Sequence, residues 1–213
     1  WLCLFSFRLT MPANPLLLMT ELDAVNSMLA AIGESPVLSL DVATHQDAVN
    51  ALAILRKTNR AVQEQGWRFN TQDNVLLTRD GSNNILVPSN TLRVETTGRS
   101  ATTPIAYLDG KLRDVEKNTI VWDKDLYVTL TLHYDFGVIP QAARSYIAEL
   151  AGHQFVGNEA VSSGRSQFTS QALAMTLAAL KRTESLVRRP NMLTDSYSVA
   201  KIAFGRQPFY LAR

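Results

Sequence analysis

The side chains that could do chemistry are few and scattered along this sequence. The three histidines, His45, His133 and His153, form neither an HExxH motif nor a Cys/His ligand spacing, and the single cysteine, Cys3, can form no intramolecular disulfide. His133 and Asp135 have the spacing of two residues on one face of an exposed strand, where solvated polar positions are commoner than catalytic pairs. The sequence therefore predicts no metal and no cofactor.

The glycine and serine motifs give no catalytic signal either. The segment GNEAVSSG, with Gly157 and Gly164, lacks the GxGxxG and GxxxxGK[ST] patterns whose backbone amides hold phosphate. Ser163 lies outside any GxSxG motif and is interpreted as a turn residue. A virion-associated cell-wall hydrolase would need an acid and a base such as Glu149 and Asp135, which show no recognisable spacing. We expect no enzyme, and a hydrolase stays as the alternative.

Composition limits the class of protein. Apolar residues make up 46% of the 213 residues, which is enough for one substantial core or two small ones. The formal net charge is +2 with acids and bases dispersed, which disfavours DNA as a primary ligand. The apolar residues 1–7 are too short to cross a bilayer and no basic residue precedes them, so we expect no membrane signal. Because the sequence starts with Trp1 while Met11 and Met19 lie downstream, we expect an upstream extension or an alternative start codon, with the fold beginning near Met19.

Two helices are predicted before a β-rich region. Thr20 and Asp23 form a capping pair ahead of a short amphipathic helix. Thr44 and Asp47 repeat this signal ahead of a longer helix that ends at Gly66.

A helix-turn-helix is a further, weaker interpretation of these two helices and the IGESP turn between them. Arg56, Lys57 and Arg60 on the second helix would then contact DNA, but Glu34 and Asp41 beside the turn oppose this reading.

Two more helices are predicted after the β-rich region. Pro140 fits the first turn of the third helix, which ends near Gly157. The fourth is expected within residues 166–188, and Pro190 closes it.

Short β-prone runs occupy the region between the helix pairs. They begin at Val75 (VLLT), Ile85 (ILVP), Leu92 (LRVET), Ile105 (IAYL) and Ile120 (IVW), and the clearest alternation covers residues 126–134. The turn sequences DGSNN and LDGK favour hairpins, so the sheet should be mainly antiparallel. Trp67, directly after the long helix, is expected to pack where that helix meets the sheet.

The predicted fold class is α+β, a helix bundle of about four helices with an inserted, mainly antiparallel β-sheet region and an extended C-terminal tail. The expected divisions are an N-terminal extension at residues 1–18, the first two helices at 19–66, the sheet region at 67–136, the last two helices at 137–190 and the tail at 191–213. The tail carries aromatic residues without a sustained period, so we expect it to bind something outside its own core.

Three blocks of sequence carry a family resemblance. The first is LDAVNSMLAAIGESPVLSL from Leu22, and the second is DAVNALAILRKTNRAVQEQGWRFN from Asp47, with matching positions that include Asn59, Gln63, Trp67 and Asn70. The third is marked by Pro140, Arg144, Tyr146, Ile147, Ala151, Gln154 and Phe155. In order and spacing the blocks resemble the tail tubular protein A family of short-tailed phages, also called gatekeepers or head-to-tail adaptors. The resemblance covers residues 22 to about 193 and is weak through the sheet region.

The resemblance implies a structural protein of the virion tail, made in the host cytoplasm. The expected assembly is a ring of twelve subunits beneath the capsid portal, joined below to the tail nozzle (tail tubular protein B) and in contact with tail fibres. DNA would leave through its channel without sequence-specific binding, and no membrane is involved. The residues expected to bind the portal or a neighbouring subunit are Arg188, Arg189, Tyr197, Phe204, Phe209 and Tyr210.

Overall fold

The computed structural model describes residues 18–40, 45–158 and 169–187. In these ranges the chain has a mixed α+β architecture in which the strands are inserted between two pairs of helices, as predicted. The helices are α1 (Glu21–Ile32), α2 (Gln46–Glu64), α3 (Gln141–Asn158) and α4 (Ser170–Val187). The strands are β1 (Thr71–Leu77), β2 (Thr91–Thr96), β3 (Ile105–Leu108), β4 (Lys111–Asp114) and β5 (Leu126–Leu132).

The four helices share one apolar core. α2 packs on α3, α1 packs on both of them, and α4 packs on α3 and on the short turn at residues 68–70. The largest fully buried side chains of this helical cluster are Met28, Leu29, Leu55, Phe136, Ile139, Ile147, Phe155 and Leu180. Each contributes about 1.5–3 kcal/mol by leaving water. α1 and α4 consequently form opposite edges of the helical part.

The start of α1 confirms the predicted capping pair. The Thr20 hydroxyl accepts a hydrogen bond from the Asp23 N–H at 3.1 Å, and the Thr20 N–H donates to the Asp23 carboxylate at 2.9 Å. The backbone and hydroxyl bonds from Thr20 lower the pKa of Asp23. Gly33 ends the helix in the left-handed conformation, with φ 86°.

The starts of α2 and α4 differ in how they are capped. α2 begins at Gln46 with His45 as its N-cap and no capping bond from the His45 side chain. The predicted capping pair of Thr44 and Asp47 includes residue 44, which lies outside the described residues. α4 lies within the predicted residues 166–188 and begins at Ser170, because the Thr169 hydroxyl accepts the Ala172 N–H at 3.1 Å and caps the helix there.

The strands pair only in antiparallel fashion in the described part of the chain, which confirms the predicted sheet type. β5 is the centre of a three-stranded sheet of order β1-β5-β2, and β3 with β4 forms a separate hairpin. The hairpin turns at Asp109 and Gly110, both with positive φ, as the LDGK sequence predicts. Thr71 at the start of β1 lies opposite Thr131 near the end of β5, so the inserted region leaves and rejoins the helices at one place.

The sheets bury a second apolar cluster. Its members are Ile85, Val87, Leu112, Trp122, Leu126, Val128, Leu130 and Leu132. The two clusters are the two small cores that the composition allows. No helix in the described ranges combines the length and apolar character needed to cross a bilayer.

Two predicted strands are absent from the described structure. The ILVP run forms only isolated bridges, because Ile85 and Leu86 pair singly with Arg79 and Lys111 and Pro88 then has no N–H to donate. The IVW run is a loop whose Trp122 is buried, with its indole N–H donating to the Leu112 carbonyl at 2.9 Å. Both runs are apolar because they fill the sheet core without joining a ladder.

The clearest predicted strand is shorter than its alternation suggests. β5 ends at Leu132, because the next two amides bond outside the ladder. The His133 N–H donates to the Asn90 carbonyl at 2.7 Å, and the Tyr134 N–H donates to the Gln63 side chain at 2.8 Å. The chain leaves the sheet here and turns toward α3.

Candidate assembly surfaces and the joint between the two cores

The side chains considered for catalysis are not brought into one site. Asp135 is exposed and interacts electrostatically with Arg56, whereas Glu149 on α3 interacts with His153 and the amide of Thr169. Burial raises the pKa of Glu149, and the neighbouring His153 opposes that change. The two carboxylates therefore have separate surroundings and do not form the acid and base pair of a hydrolase.

The pair His133 and Asp135 was expected on an exposed strand. Both residues instead follow β5, and His133 is half-buried while Asp135 is exposed. Within the described ranges, no group of three or more His, Cys, Asp or Glu side chains lies close enough to hold a metal ion.

The helix-turn-helix interpretation is wrong in shape. Residues 33–45 separate α1 from α2, whereas the DNA-binding motif joins its helices through a turn of about three or four residues. Arg56 on α2 pairs with Glu21 of α1 at 3.1 Å in an exposed ion pair between the two helices.

A buried polar network joins the helical part to the sheet. Gln63 on α2 has no exposed surface, and its amide donates to the Tyr134 carbonyl at 2.7 Å and to the Asn59 side chain at 2.8 Å. Its oxygen accepts the Tyr134 N–H at 2.8 Å. One side chain thus supplies both hydrogen bonds that the backbone of Tyr134 loses on leaving the sheet.

Asn70 completes this network. It lies on the segment that leads from α2 into β1, the other of the two segments that cross the joint. Its side-chain amide donates to the carbonyls of Gln63 at 2.8 Å and Leu132 at 2.9 Å, and its oxygen accepts the Trp67 N–H at 2.8 Å. Asn59, Gln63 and Asn70 lie at positions of the family resemblance, but sequence reasoning gave them no role. The signal was present in the four-residue spacing of Asn59 and Gln63, which puts them on the buried face of α2.

Trp67 lies between the end of α2 and the start of β1, where the sequence predicts it. It is half-buried, packs on the helical cluster, and donates its indole N–H to the Val62 carbonyl at 2.8 Å. It lines an open cleft of about 490 Å³ together with Thr71 and Asp73 of β1 and Glu184 and Ser185 of α4. The Arg68 N–H donates to the Glu184 carboxylate across this cleft. Trp67 is therefore beside the joint but only half-buried there, and the neighbouring amide network supplies the hydrogen bonds between the helical part and the sheet.

Arg144 is a second structural residue that the sequence did not assign. The residue is 5% exposed, and its guanidinium donates to three carbonyls, those of Ile139 at 2.8 Å, Met19 at 2.9 Å and Gly137 at 2.6 Å. None of the ion pairs among the described residues includes it. It fastens the segment before α1 and the link from β5 to the first turn of α3.

Large apolar side chains are exposed at several places among the described residues. Leu38, after α1, is 97% exposed, and Met175 on α4 is 61% exposed. Around β3 and β4 the exposed residues are Leu86, Leu108, Val115, Ile120 and Val121. Others are Leu18, Val49, Leu76, Val138 and Leu186. The group around β3 and β4 is the kind of apolar exposure that marks surfaces in contact with other proteins.

The six residues predicted to bind a partner lie outside the described residues. They are Arg188, Arg189, Tyr197, Phe204, Phe209 and Tyr210. The described chain ends at residue 187, beside the cleft that Glu184 and Ser185 line.

Comparison with known proteins identifies the family. The family model for tail tubular proteins matches residues 22–190, a range that includes both helix pairs and the whole sheet region. The chain belongs to the tail tubular protein family. Tail tubular protein A of Klebsiella phage KP34 is 28% identical over 190 residues, which cover 89% of this chain and 96% of that protein. This protein is therefore a structural component of a phage tail, and the virion tail is its location.

Proposed function

We propose that this protein is a ring-forming adaptor that connects the capsid portal to the tail nozzle and forms part of the channel through which DNA leaves. The observation that carries the proposal is the family match across residues 22–190. Twelve subunits are the proposed copy number. The nozzle protein and the tail fibres are the partners proposed on the side away from the portal.

The described architecture supports this role. Ring subunits that meet head to tail need a rigid body with different surfaces on its sides, because each contact joins two unlike patches. The helical part is held rigidly to the sheet by the Gln63 and Asn70 network, while exposed apolar residues remain on α4 and on the β3 and β4 hairpin. A near-neutral net charge also suits a DNA channel, since a strongly basic wall would retain phosphates.

The C-terminal tail is the part proposed to bind the portal or a neighbouring subunit. Its sequence combines aromatic residues with the cations Arg188 and Arg189 just before it, and a segment of this composition can wrap around a partner and order on binding. Deleting residues 191–213 should leave the circular dichroism and the cooperative melting transition unchanged but abolish attachment to the portal. Loss of cooperative melting in the truncated protein would assign the tail to the subunit's own core.

The oligomeric state tests the proposed function directly. The purified protein, alone and mixed with portal, should give ring-shaped particles by negative-stain electron microscopy and a matching mass by mass photometry. A monomer under both conditions, without portal binding, would refute the adaptor role.

A further inference from the structure

The two edges of the helical part, formed by α1 and α4, differ in surface chemistry. α1 packs on α2 and α3 at one end, while α4 packs on α3 and the turn at residues 68–70 at the other. A head-to-tail contact that repeats around a ring joins two unlike surfaces of neighbouring copies. We call the exposed surface of residues 21–38 the α1 edge and the exposed surface of α4 the α4 edge.

The α1 edge is acidic and carries one fully exposed apolar side chain. Residues 18–40 contain Glu21, Asp23 and Glu34 but no lysine or arginine. Glu21 pairs with Arg56 and Asp23 caps α1, whereas Glu34 is exposed and joins none of the ion pairs among the described residues. Leu38, four residues further, is 97% exposed. An uncompensated carboxylate and an apolar side chain therefore lie close together in the chain.

The loop that carries Leu38 is held in place by its neighbours. The Asn26 side chain on α1 donates to the Val37 carbonyl at 3.0 Å and accepts the Val37 N–H at 2.9 Å. Val37 and Leu40 both pack against the helical cluster. Leu38 is thus presented by an ordered loop, so little conformational entropy is lost when a partner covers it.

The α4 edge is apolar and basic. Leu173, Leu177 and Leu180 face the helical core, so the opposite side of α4 points away from it. That outer side exposes Gln171, Met175, Ala178 and Arg182 at helical spacing, and Lys181 is exposed beside them. Met175 is 61% exposed, and neither cation takes part in an ion pair with the described residues.

These two edges are complementary, since each combines an exposed apolar side chain with charge of the opposite sign. We propose that the α1 edge of one subunit docks on the α4 edge of the next copy of this chain. Leu38 packs against Met175 and Ala178, and Glu34 pairs with Arg182. The proposal rests on the ring-forming function and names the surfaces that build the ring.

Directed cross-linking tests whether the two edges meet. The variant Leu38→Cys with Met175→Cys, made in a Cys3→Ser background, is treated with a short bismaleimide after assembly with portal. The two cysteines of one subunit lie on opposite edges, so the expected product is a ladder of covalent multimers that extends to the full ring. The matched control replaces Leu38→Cys by Leu108→Cys, a position on the hairpin that is 52% exposed and should give no ladder.

Each result of the cross-linking decides between the two proposals. Intact rings that stay as unlinked subunits on denaturing gels would overturn the assignment of the edges while the adaptor role stands. Particles that never form a ring, even with portal, would overturn both.

Charge reversal tests the ionic part of the contact. Arg182→Glu and Glu34→Arg should each weaken self-association at least about tenfold, because each puts like charges opposite one another, and the double variant should restore assembly. Lys124→Glu on the sheet part is the control and should assemble normally. Circular dichroism checks that each variant is folded. Unchanged assembly of both single variants, or loss of portal or nozzle binding with an intact ring, would refute the proposed contact.

Discussion

Replacing Gln63 with leucine tests how the helical part and the sheet are joined. Leucine has nearly the same volume, so Gln63→Leu removes hydrogen bonds without opening a large cavity. The Tyr134 N–H and the Asn59 side-chain oxygen would each lose their partner, while the Tyr134 carbonyl keeps a weaker bond from Asn59 at 3.3 Å. Two orphaned buried groups cost about 1–3 kcal/mol each, and the added apolar burial returns part of this. The expected loss of unfolding free energy is about 2–4 kcal/mol.

Urea unfolding followed by fluorescence measures this loss and locates it. Trp67 packs on the helical cluster and Trp122 lies in the sheet cluster, so Trp122→Phe and Trp67→Phe backgrounds, each with Trp1→Phe as well, report separately on the two cores. Gln63→Leu should lower the midpoint and separate the two transitions, because the network that couples the cores is gone. The control is Gln65→Leu, an exposed position just past the same helix, which should change stability by less than about 0.5 kcal/mol.

The variant Gln63→Glu adds a pH test. A glutamate can accept the Tyr134 N–H but, when ionised, cannot donate to the Tyr134 carbonyl or to Asn59. Burial would raise the pKa of this glutamate in the folded state, so the folded protein would hold the proton more tightly and the variant would lose stability as pH rises.

The Gln63→Leu experiment has a clear negative outcome. A loss of unfolding free energy below about 1 kcal/mol, with one coincident transition for both tryptophans, would show that the network does not hold the joint.

Substitutions at three further positions follow from the described contacts. Arg144→Met should lower the unfolding free energy by about 2–4 kcal/mol in urea titration, because it removes the donor from one buried carbonyl and two partly buried ones. Arg144→Lys should recover only part of this loss, and a loss near zero would show that water replaces the guanidinium. Trp67→Ala should lower the unfolding free energy by about 1–3 kcal/mol, less than the loss for a fully buried tryptophan. Trp67→Phe should lower it by about 1 kcal/mol, because the indole hydrogen bond is lost. Equal losses for the two variants would show that packing of the ring adds no stability. Glu149→Gln should raise the melting temperature near neutral pH but not at mildly acidic pH, because burial raises the pKa of Glu149 and its charge costs stability as pH rises; a pH-independent gain would contradict that reasoning.

The sequence alone predicted the start of a helix or the position of a turn where the residues that form it lie close together in the chain. The Thr20 and Asp23 pair marks the start of α1, since both capping partners lie three residues apart in the chain. The Asp109 and Gly110 turn marks the hairpin for the same reason. At α2 such a pattern does not fix the first helical residue, since the helix begins at Gln46 with His45 as its N-cap.

Contacts between distant parts of the chain could not be predicted. Gln63 bonds to Tyr134 and Asn70 bonds to Leu132, and from sequence alone such polar side chains are expected at the surface. The bond from Tyr134 to Gln63 also helps to end β5 at Leu132. The alternation of apolar and polar residues continues past this point, so the strand predicted from it is too long. The apolar run at Ile85 has the composition of a strand, but its partners and Pro88 limit it to single bridges.

The side-by-side entry and exit of the sheet region has a mechanical consequence. Thr71 and Thr131 lie opposite each other at the joint, and β1 and β5 run away from it as neighbours. A force that pulls the sheet part away from the helices is therefore shared by the two backbone segments that cross the joint, and it acts along both β1 and β5. The ladder between β1 and β5 is not peeled open from that end. The first bonds to yield under such a tension are those of the amide network around Gln63 and Asn70, so the joint sets the force at which the two parts separate.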